Sequence, residues 1–163
     1  KQKGRKLLKK GYQTYVYDDA EQARVLRSFP IEKEGRPKDP TVCLIGCPHN
    51  TYKEILDWGT KVTEALEKRG LKTAAIPTLL LCANVVRDHL VEEEPLLVGA
   101  MKRAGMKFTN MCSLSYVGMK GFSEKMFAVT NSPKTRNYYP FVRYFTDDVL
   151  IDVICTGEIP KGA

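Results

Sequence analysis

The sequence lacks any run of about 20 consecutive apolar residues, the length that a helix needs to cross a membrane. It also lacks the pattern of a secretory signal peptide, because the basic segment 1–10 has no apolar core of sufficient length. We therefore predict no membrane association. The first residue is not methionine, which suggests a piece of a longer polypeptide.

The five cysteines include no Cys-x-x-Cys pair, and their number is odd. Both features argue against a zinc ribbon and against a secreted disulfide framework, and they predict a reducing, cytoplasmic environment. A thiol redox protein is a weak alternative for the same reason. Cys43 lies in an apolar strand pattern and Cys155 in an apolar helical pattern, so both are interpreted as small buried side chains.

Positive charge is concentrated at the start of the chain. The net charge is +7, and six basic residues fall within residues 1–10. The other basic residues are mixed with acidic ones, and no interleaving of aromatic and basic residues of the RNA-binding kind is present. We interpret this charge as a solvated surface that attracts a small anionic substrate, with no nucleic-acid partner.

Strands alternate with helices after a basic segment and short helix, which together occupy residues 1–40. That first helix is predicted from Asp18 to Phe29. The predicted strands are 41–46, 72–77, 107–111 and 126–130. The predicted helices are 51–69, 83–93, 95–104 and a last one between Thr146 and Gly157. The alternation predicts an α/β domain over residues 41–163, a three-layer Rossmann-like sandwich with a mainly parallel sheet of about four strands.

The stretch LIGCPHNTYKEI, residues 44–55, places Cys47 and His49 where the first strand leads into a helix. Thr51 and Glu54 form a Thr-x-x-Glu capping box, which marks the start of that helix. Ligands of parallel sheets bind beyond the carboxyl ends of the strands. The position of Cys47 therefore indicates a functional edge.

Cys112 follows the third predicted strand and Cys82 the second, so we expect them at the same edge as Cys47. Any one of these residues alone is more simply an inert thiol. Soft thiolates that converge on a sheet edge suit iron–sulfur ligation, which favours a metal role for Cys47 and Cys112. A third ligand must come from Cys82 or from outside this chain.

The segment TNSPKTRNYYP, residues 130–140, follows the fourth predicted strand. Asn131 or Ser132 is a helix cap, and Pro133 suits the first helical position. Backbone N–H groups at this terminus, with Lys134 and Arg136 nearby, form a site for a carboxylate or a phosphate. A simple capped surface helix is the alternative.

Three motifs, GCPHNTYKEI, FTNMCSL and AVTNSPKTRNYYP, resemble in order and spacing the carboxyl-terminal part of the catalytic large subunit of the aconitase X family. The resemblance covers roughly residues 14–158. It implies a hydro-lyase of the phosphomevalonate dehydratase or cis-3-hydroxyproline dehydratase type, which uses an iron–sulfur cluster or a mononuclear iron held by cysteines. By resemblance, the iron ligands are Cys47 and Cys112.

The same resemblance implies that Asn131, Ser132 and Lys134 bind the anionic group of the substrate. Ser132 is a candidate base, and His49 is a candidate proton donor or a partner of the metal ligands. The implied partners are an amino-terminal half of the large subunit and a small swivelling subunit or domain. The competing interpretation is a Rossmann-like binding or assembly module that performs no chemistry.

The sequence departs from the family pattern at two places. Residues 81–84 read Leu-Cys-Ala-Asn where the family has Thr-Thr-Ser-Arg, so a positively charged contact is missing. Asn110 replaces the aspartate that precedes the third-strand cysteine motif.

Overall fold

The computed structural model describes residues 4, 7–28, 37–121 and 123–160. Five strands lie within these ranges: β1 (Val42–Asn50), β2 (Thr78–Cys82), β3 (Met106–Thr109), β4 (Ala128–Thr130) and β5 (Val142–Tyr144). The described helices are α1 (Asp19–Ser28), α2 (Tyr52–Lys68), α3 (Asn84–Glu93), α4 (Pro95–Arg103), α5 (Ser113–Gly118), α6 (Pro133–Tyr138) and α7 (Asp147–Thr156). A short 3₁₀ turn spans Ser123–Lys125.

The five strands form one sheet in the order β3-β2-β1-β4-β5, and every pairing is parallel. The chain runs outward from β1 through β2 to β3 and then returns to the other side of β1 for β4 and β5. This is the strand order of a doubly wound fold, whose direction reverses between β1 and β4. The predicted fold class is confirmed, with five strands where about four were expected.

Helices cover both faces of the sheet, which gives the three layers. Alternate residues of β1 point to opposite faces: Cys43 and Ile45 join the larger core cluster, whereas Leu44 joins the smaller one. The larger cluster packs β1, β2 and β3 against α2, α3, α4 and α7. The smaller cluster lies under α5 and the chain that follows α6. As predicted, Cys43 and Cys155 are buried thiols of the larger cluster.

The prediction for the second strand is wrong. Residues 72–77 form bends in an irregular connection, and β2 is the next segment, Thr78–Cys82. Its sequence, TLLLC, is the continuous apolar run expected of a strand buried on both faces. Consequently Cys82 is the last residue of a strand and is 1% exposed, rather than a loop residue.

Most of the predicted helices are confirmed to within one or two residues, including the capping box of Thr51 and Glu54 at α2. The predicted first helix is observed as α1, and Phe29 lies outside the described residues. Helix α5 and strand β5 were not predicted, because elements of six and three residues carry little periodicity. The proposed division at residue 40 stays a prediction.

None of the helices in the described ranges is both long and apolar enough to cross a lipid bilayer.

Candidate functional site at the carboxyl edge of the sheet

Strand β1 continues past the predicted end at residue 46, but its pairing with β2 is interrupted. Ile45 pairs with Leu80 and Asn50 with Cys82, so five steps along β1 match two steps along β2. The additional residues, 46–49, form a protrusion at the carboxyl edge of the sheet. Cys47 is half-buried there, and His49 is exposed.

A glycine and an asparagine shape this protrusion. Gly46 has φ of 109°, a conformation that favours glycine, and a Cβ at this position would lie 2.3 Å from Asn50 Nδ2. The Asn50 amide is buried and donates from Nδ2 to the carbonyl oxygens of Ile45 and Leu81, each at 3.0 Å. The side chain of Asn50 therefore ties the two ends of the protrusion to the end of β2.

The chain that leaves β4 packs directly against the protrusion. Thr130 Oγ1 donates to the carbonyl oxygen of Leu44 at 2.7 Å and accepts from the Ser132 N–H at 3.0 Å. Ser132 Oγ donates to the carbonyl oxygen of Cys47 at 2.8 Å and accepts from the Thr135 N–H at 3.2 Å. Ser132 is thus the N-cap of α6, as predicted, and also the link between β1 and α6.

A buried pair of hydroxyls brings the segment after β3 to the same place. Ser113 follows Cys112 at the start of α5, and its Oγ lies 3.0 Å from Thr135 Oγ1 in a hydrogen bond. Both side chains are buried. The segments that carry Cys47 and Cys112 therefore meet at the amino-terminal end of α6, which is the point of strand-order reversal where doubly wound folds bind ligands.

The environment of Cys47 favours the thiolate. Partial burial alone would raise the pKa of this thiol, but the nearby hydroxyls of Ser113, Thr135 and Ser132 and the charge of Lys134 outweigh burial, so the pKa is lowered. A lowered pKa makes a cysteine a better nucleophile and a better metal ligand, since the thiolate is the reactive form.

The other predicted residues lie along the same edge with different exposure. Cys112 is exposed at the N-cap position of α5. Lys134 is exposed in the first turn of α6. Asn131 donates from Nδ2 to Asp147 Oδ1 at 3.0 Å, which connects this edge to the start of α7. Arg136, predicted beside the anion site, is instead buried, and its Nη1 donates to the carbonyl oxygen of Tyr139 at 3.4 Å.

The donor set fits part of an iron site. Two thiols at one edge, one of them with a lowered pKa, are the ligand type that iron–sulfur clusters use. Within residues 37–121 and 123–160, no group of three or more His, Cys, Asp or Glu side chains is placed to hold a metal ion. Burial inside the core raises the pKa of the Cys82 thiol, which makes Cys82 a poorer metal ligand than Cys47.

Sequence reasoning missed three residues that organise the site: Asn50, Ser113 and Thr135. The sequence could have pointed to Ser113, which adjoins the candidate ligand Cys112. It could also have pointed to Thr135, which is the third residue after the capping Ser132. Asn50 had no such signal, since its contacts depend on the end of β2, which lies about 30 residues further along the chain.

The fold and the site define a doubly wound parallel α/β protein with a cysteine-bearing edge at the strand-order reversal. Among solved structures, the chain is similar to the crystal structure of Thermococcus kodakaraensis aconitase X in its holo form, with a TM-score of 0.64 and 20% sequence identity. The match covers 94% of this chain and 37% of that chain. This chain therefore has an aconitase X-like fold and spans little more than a third of the length of that protein.

No protein-family model matches the sequence, and no curated protein matches it either.

Proposed function

We propose that this chain is part of an iron-dependent hydro-lyase of the aconitase X type, which removes water from a small anionic hydroxy acid such as phosphomevalonate or cis-3-hydroxyproline. The observation that carries the proposal is the convergence of Cys47 with the Cys112–Ser113 turn at the amino-terminal end of α6. The likeness of the fold to aconitase X supports it.

In this proposal Cys47 and Cys112 hold an iron–sulfur cluster or a mononuclear iron, together with a ligand from another part of the assembly. Iron with an open coordination position acts as a Lewis acid toward a substrate hydroxyl. The buried hydroxyls of Ser113, Thr135 and Ser132 favour the thiolate of Cys47, and Ser132 also holds the backbone of Cys47 through the hydrogen bond to its carbonyl oxygen.

The remaining polar residues of the edge bind the substrate and transfer a proton. Lys134 attracts the anionic group of the substrate, and Asn131 and Ser132 stand beside it at the start of α6. His49 is exposed two residues after Cys47, and its imidazole can give or take a proton at a ring nitrogen. Ser132 acts as a base only if its Oγ gives up the hydrogen bond to the Cys47 carbonyl, so we assign proton transfer first to His49.

The edge is open on its outer side, where Cys112, His49 and Lys134 are exposed. A dehydratase must exclude water from its reacting groups, so we propose that the site is closed by an amino-terminal half of the large subunit and a small swivelling subunit. These parts also supply the third ligand.

The test is anaerobic co-expression of this chain with both aconitase X-type parts, followed by iron and acid-labile sulfide analysis and dehydration assays with the two hydroxy acids. We expect bound iron and activity, and loss of both in Cys47→Ser and Cys112→Ser. Cys155→Ser, which alters a core thiol within α7, is the matched control and should keep both.

Full activity of both serine variants would overturn the assignment of ligands. An assembled complex that binds no iron and dehydrates neither acid would favour the competing function, a Rossmann-like assembly module. Enzyme-like dehydration by the 163 residues alone would overturn the need for partners.

A further inference from the structure

Asn50 occupies an unusual position for a polar residue at the carboxyl edge of this sheet. Its side chain is buried, whereas its neighbour His49 is exposed. A buried amide needs hydrogen-bond partners, and here both partners of Nδ2 are backbone carbonyl oxygens. A carbonyl oxygen only accepts hydrogen bonds, so the amide must present its NH₂ group, whose two protons match the two acceptors.

The two acceptors lie on different strands. One is the carbonyl oxygen of Ile45, the last β1 residue before the break in pairing, and the other is the carbonyl oxygen of Leu81 in β2. Asn50 therefore replaces ladder hydrogen bonds where the strands separate. Its side chain thereby holds together the two ends of the protrusion, residues 46–49.

The backbone at Gly46 packs closely against the Asn50 side chain. A Cβ at position 46 would lie 2.3 Å from Asn50 Nδ2 and 2.7 Å from the carbonyl oxygen of Leu81. Glycine thus leaves the space that the Asn50 amide fills. Because Cys47 is the next residue, its position follows directly from this contact.

We propose that Asn50 is a positioning residue, which holds the protrusion so that Cys47 stays half-buried beside the start of α6, where Ser132 Oγ donates to the Cys47 carbonyl oxygen. Its importance for iron binding rests on the proposed function, but its effect on Cys47 does not. Removal of the amide frees residues 46–49 from β2, and the half-buried Cys47 becomes more exposed. Cys112 lies on another loop and is already exposed, so its accessibility changes little.

The experiment measures alkylation of the two cysteines by iodoacetamide in the isolated chain, read by mass spectrometry of the two peptides. At pH about 9.5, above the usual pKa of a thiol, the rate reports access to the sulfur rather than its ionisation. The quantity compared is the Cys47 rate divided by the Cys112 rate. The variants are Asn50→Ala, Asn50→Ser and the control Val62→Ala, which opens a small cavity in the core at α2.

We expect the ratio to rise at least about fivefold in Asn50→Ala, since the loss of two hydrogen bonds favours local opening by this factor or more. Asn50→Ser keeps one donor and should give a smaller rise in the same direction; it decides the question if Asn50→Ala does not fold. Val62→Ala should leave the ratio unchanged. A ratio in the Asn50 variants within about twofold of that in Val62→Ala would overturn the proposal.

The result is independent of the iron assay. If the ratio rises but the wild-type assembly binds no iron, the proposed function fails and the positioning role of Asn50 stands. If iron binds and the ratio does not rise, the positioning role fails alone.

Discussion

The hydroxyl of Ser132 donates a hydrogen bond to the backbone carbonyl oxygen of Cys47 across 2.8 Å. The two residues are 85 positions apart in the sequence, and this bond joins the carboxyl ends of β1 and β4 at the point where the strand order reverses. Ser132 also caps α6, so one hydroxyl serves both a helix and the neighbouring strand.

Replacement of Ser132 by alanine should therefore cost more than an ordinary loss of a surface hydroxyl. We expect Ser132→Ala to lower the free energy of unfolding by about 1–2 kcal/mol, because it removes a helix cap and a hydrogen bond to a partly buried carbonyl. Urea unfolding measures the change. Ser115→Ala in α5 is the control, since Ser115 is exposed, and equal losses in the two variants would contradict the prediction.

The buried hydroxyls of Ser113 and Thr135 should be energetically coupled. In a double-mutant cycle of Ser113→Ala and Thr135→Val, we expect a coupling free energy of about 0.5–1.5 kcal/mol, because each single variant leaves the other hydroxyl without this partner. Urea unfolding of the four proteins measures it. Additivity to within about 0.3 kcal/mol would mean that the contact does not join the two segments.

Stability should depend on pH through Cys47. Its pKa is lower in the folded protein than in the unfolded chain, where a thiol titrates near about 8.5. The thiolate is thus favoured by folding, so the contribution of Cys47 to stability is present above the unfolded pKa and is lost as the pH falls through the folded pKa.

The difference in unfolding free energy between the wild type and Cys47→Ser, measured from pH 6 to pH 10, should therefore increase with pH. Thr135→Val, which removes one of the hydroxyls that favour the Cys47 thiolate, should flatten this increase. A difference that stays constant across the range, or that falls with pH, would show that the hydroxyls do not stabilise the thiolate.

Alanine substitutions at two glycines with positive φ should distinguish the cost of backbone strain from the cost of a steric clash. Gly46→Ala combines strain at φ of 109° with a Cβ that lies 2.3 Å from Asn50 Nδ2 and 2.7 Å from the Leu81 carbonyl oxygen. We therefore expect the free energy of unfolding to fall by about 3 kcal/mol or more. Gly105→Ala has a similar φ of 90°, and within the described part of the chain nothing lies within 4 Å of its Cβ. We therefore expect Gly105→Ala to lower the free energy of unfolding by only about 1–2 kcal/mol.

Thermal or urea unfolding of both glycine variants gives the comparison. Equal losses would mean that the Asn50 amide yields easily to a Cβ, and that the protrusion is not closely packed.

The sequence by itself determined the class of fold. Apolar segments alternating with capped amphipathic helices require a covered parallel sheet, because each strand and helix must bury its apolar side. The capping box at Thr51, the cap at Ser132 and the glycine stop at Gly157 were predictable for the same reason: each depends on contacts within a few residues.

The tertiary structure decided where the second strand runs and which residues surround Cys47. The run TLLLC could pair as β2 only because β1 and β3 lie on its two sides, so the local preference of residues 72–77 did not matter. Likewise Ser113 and Thr135, 22 positions apart, meet only because parallel strands bring their carboxyl ends to one edge. Contacts between distant segments form this site, and no local pattern encodes which of them meet.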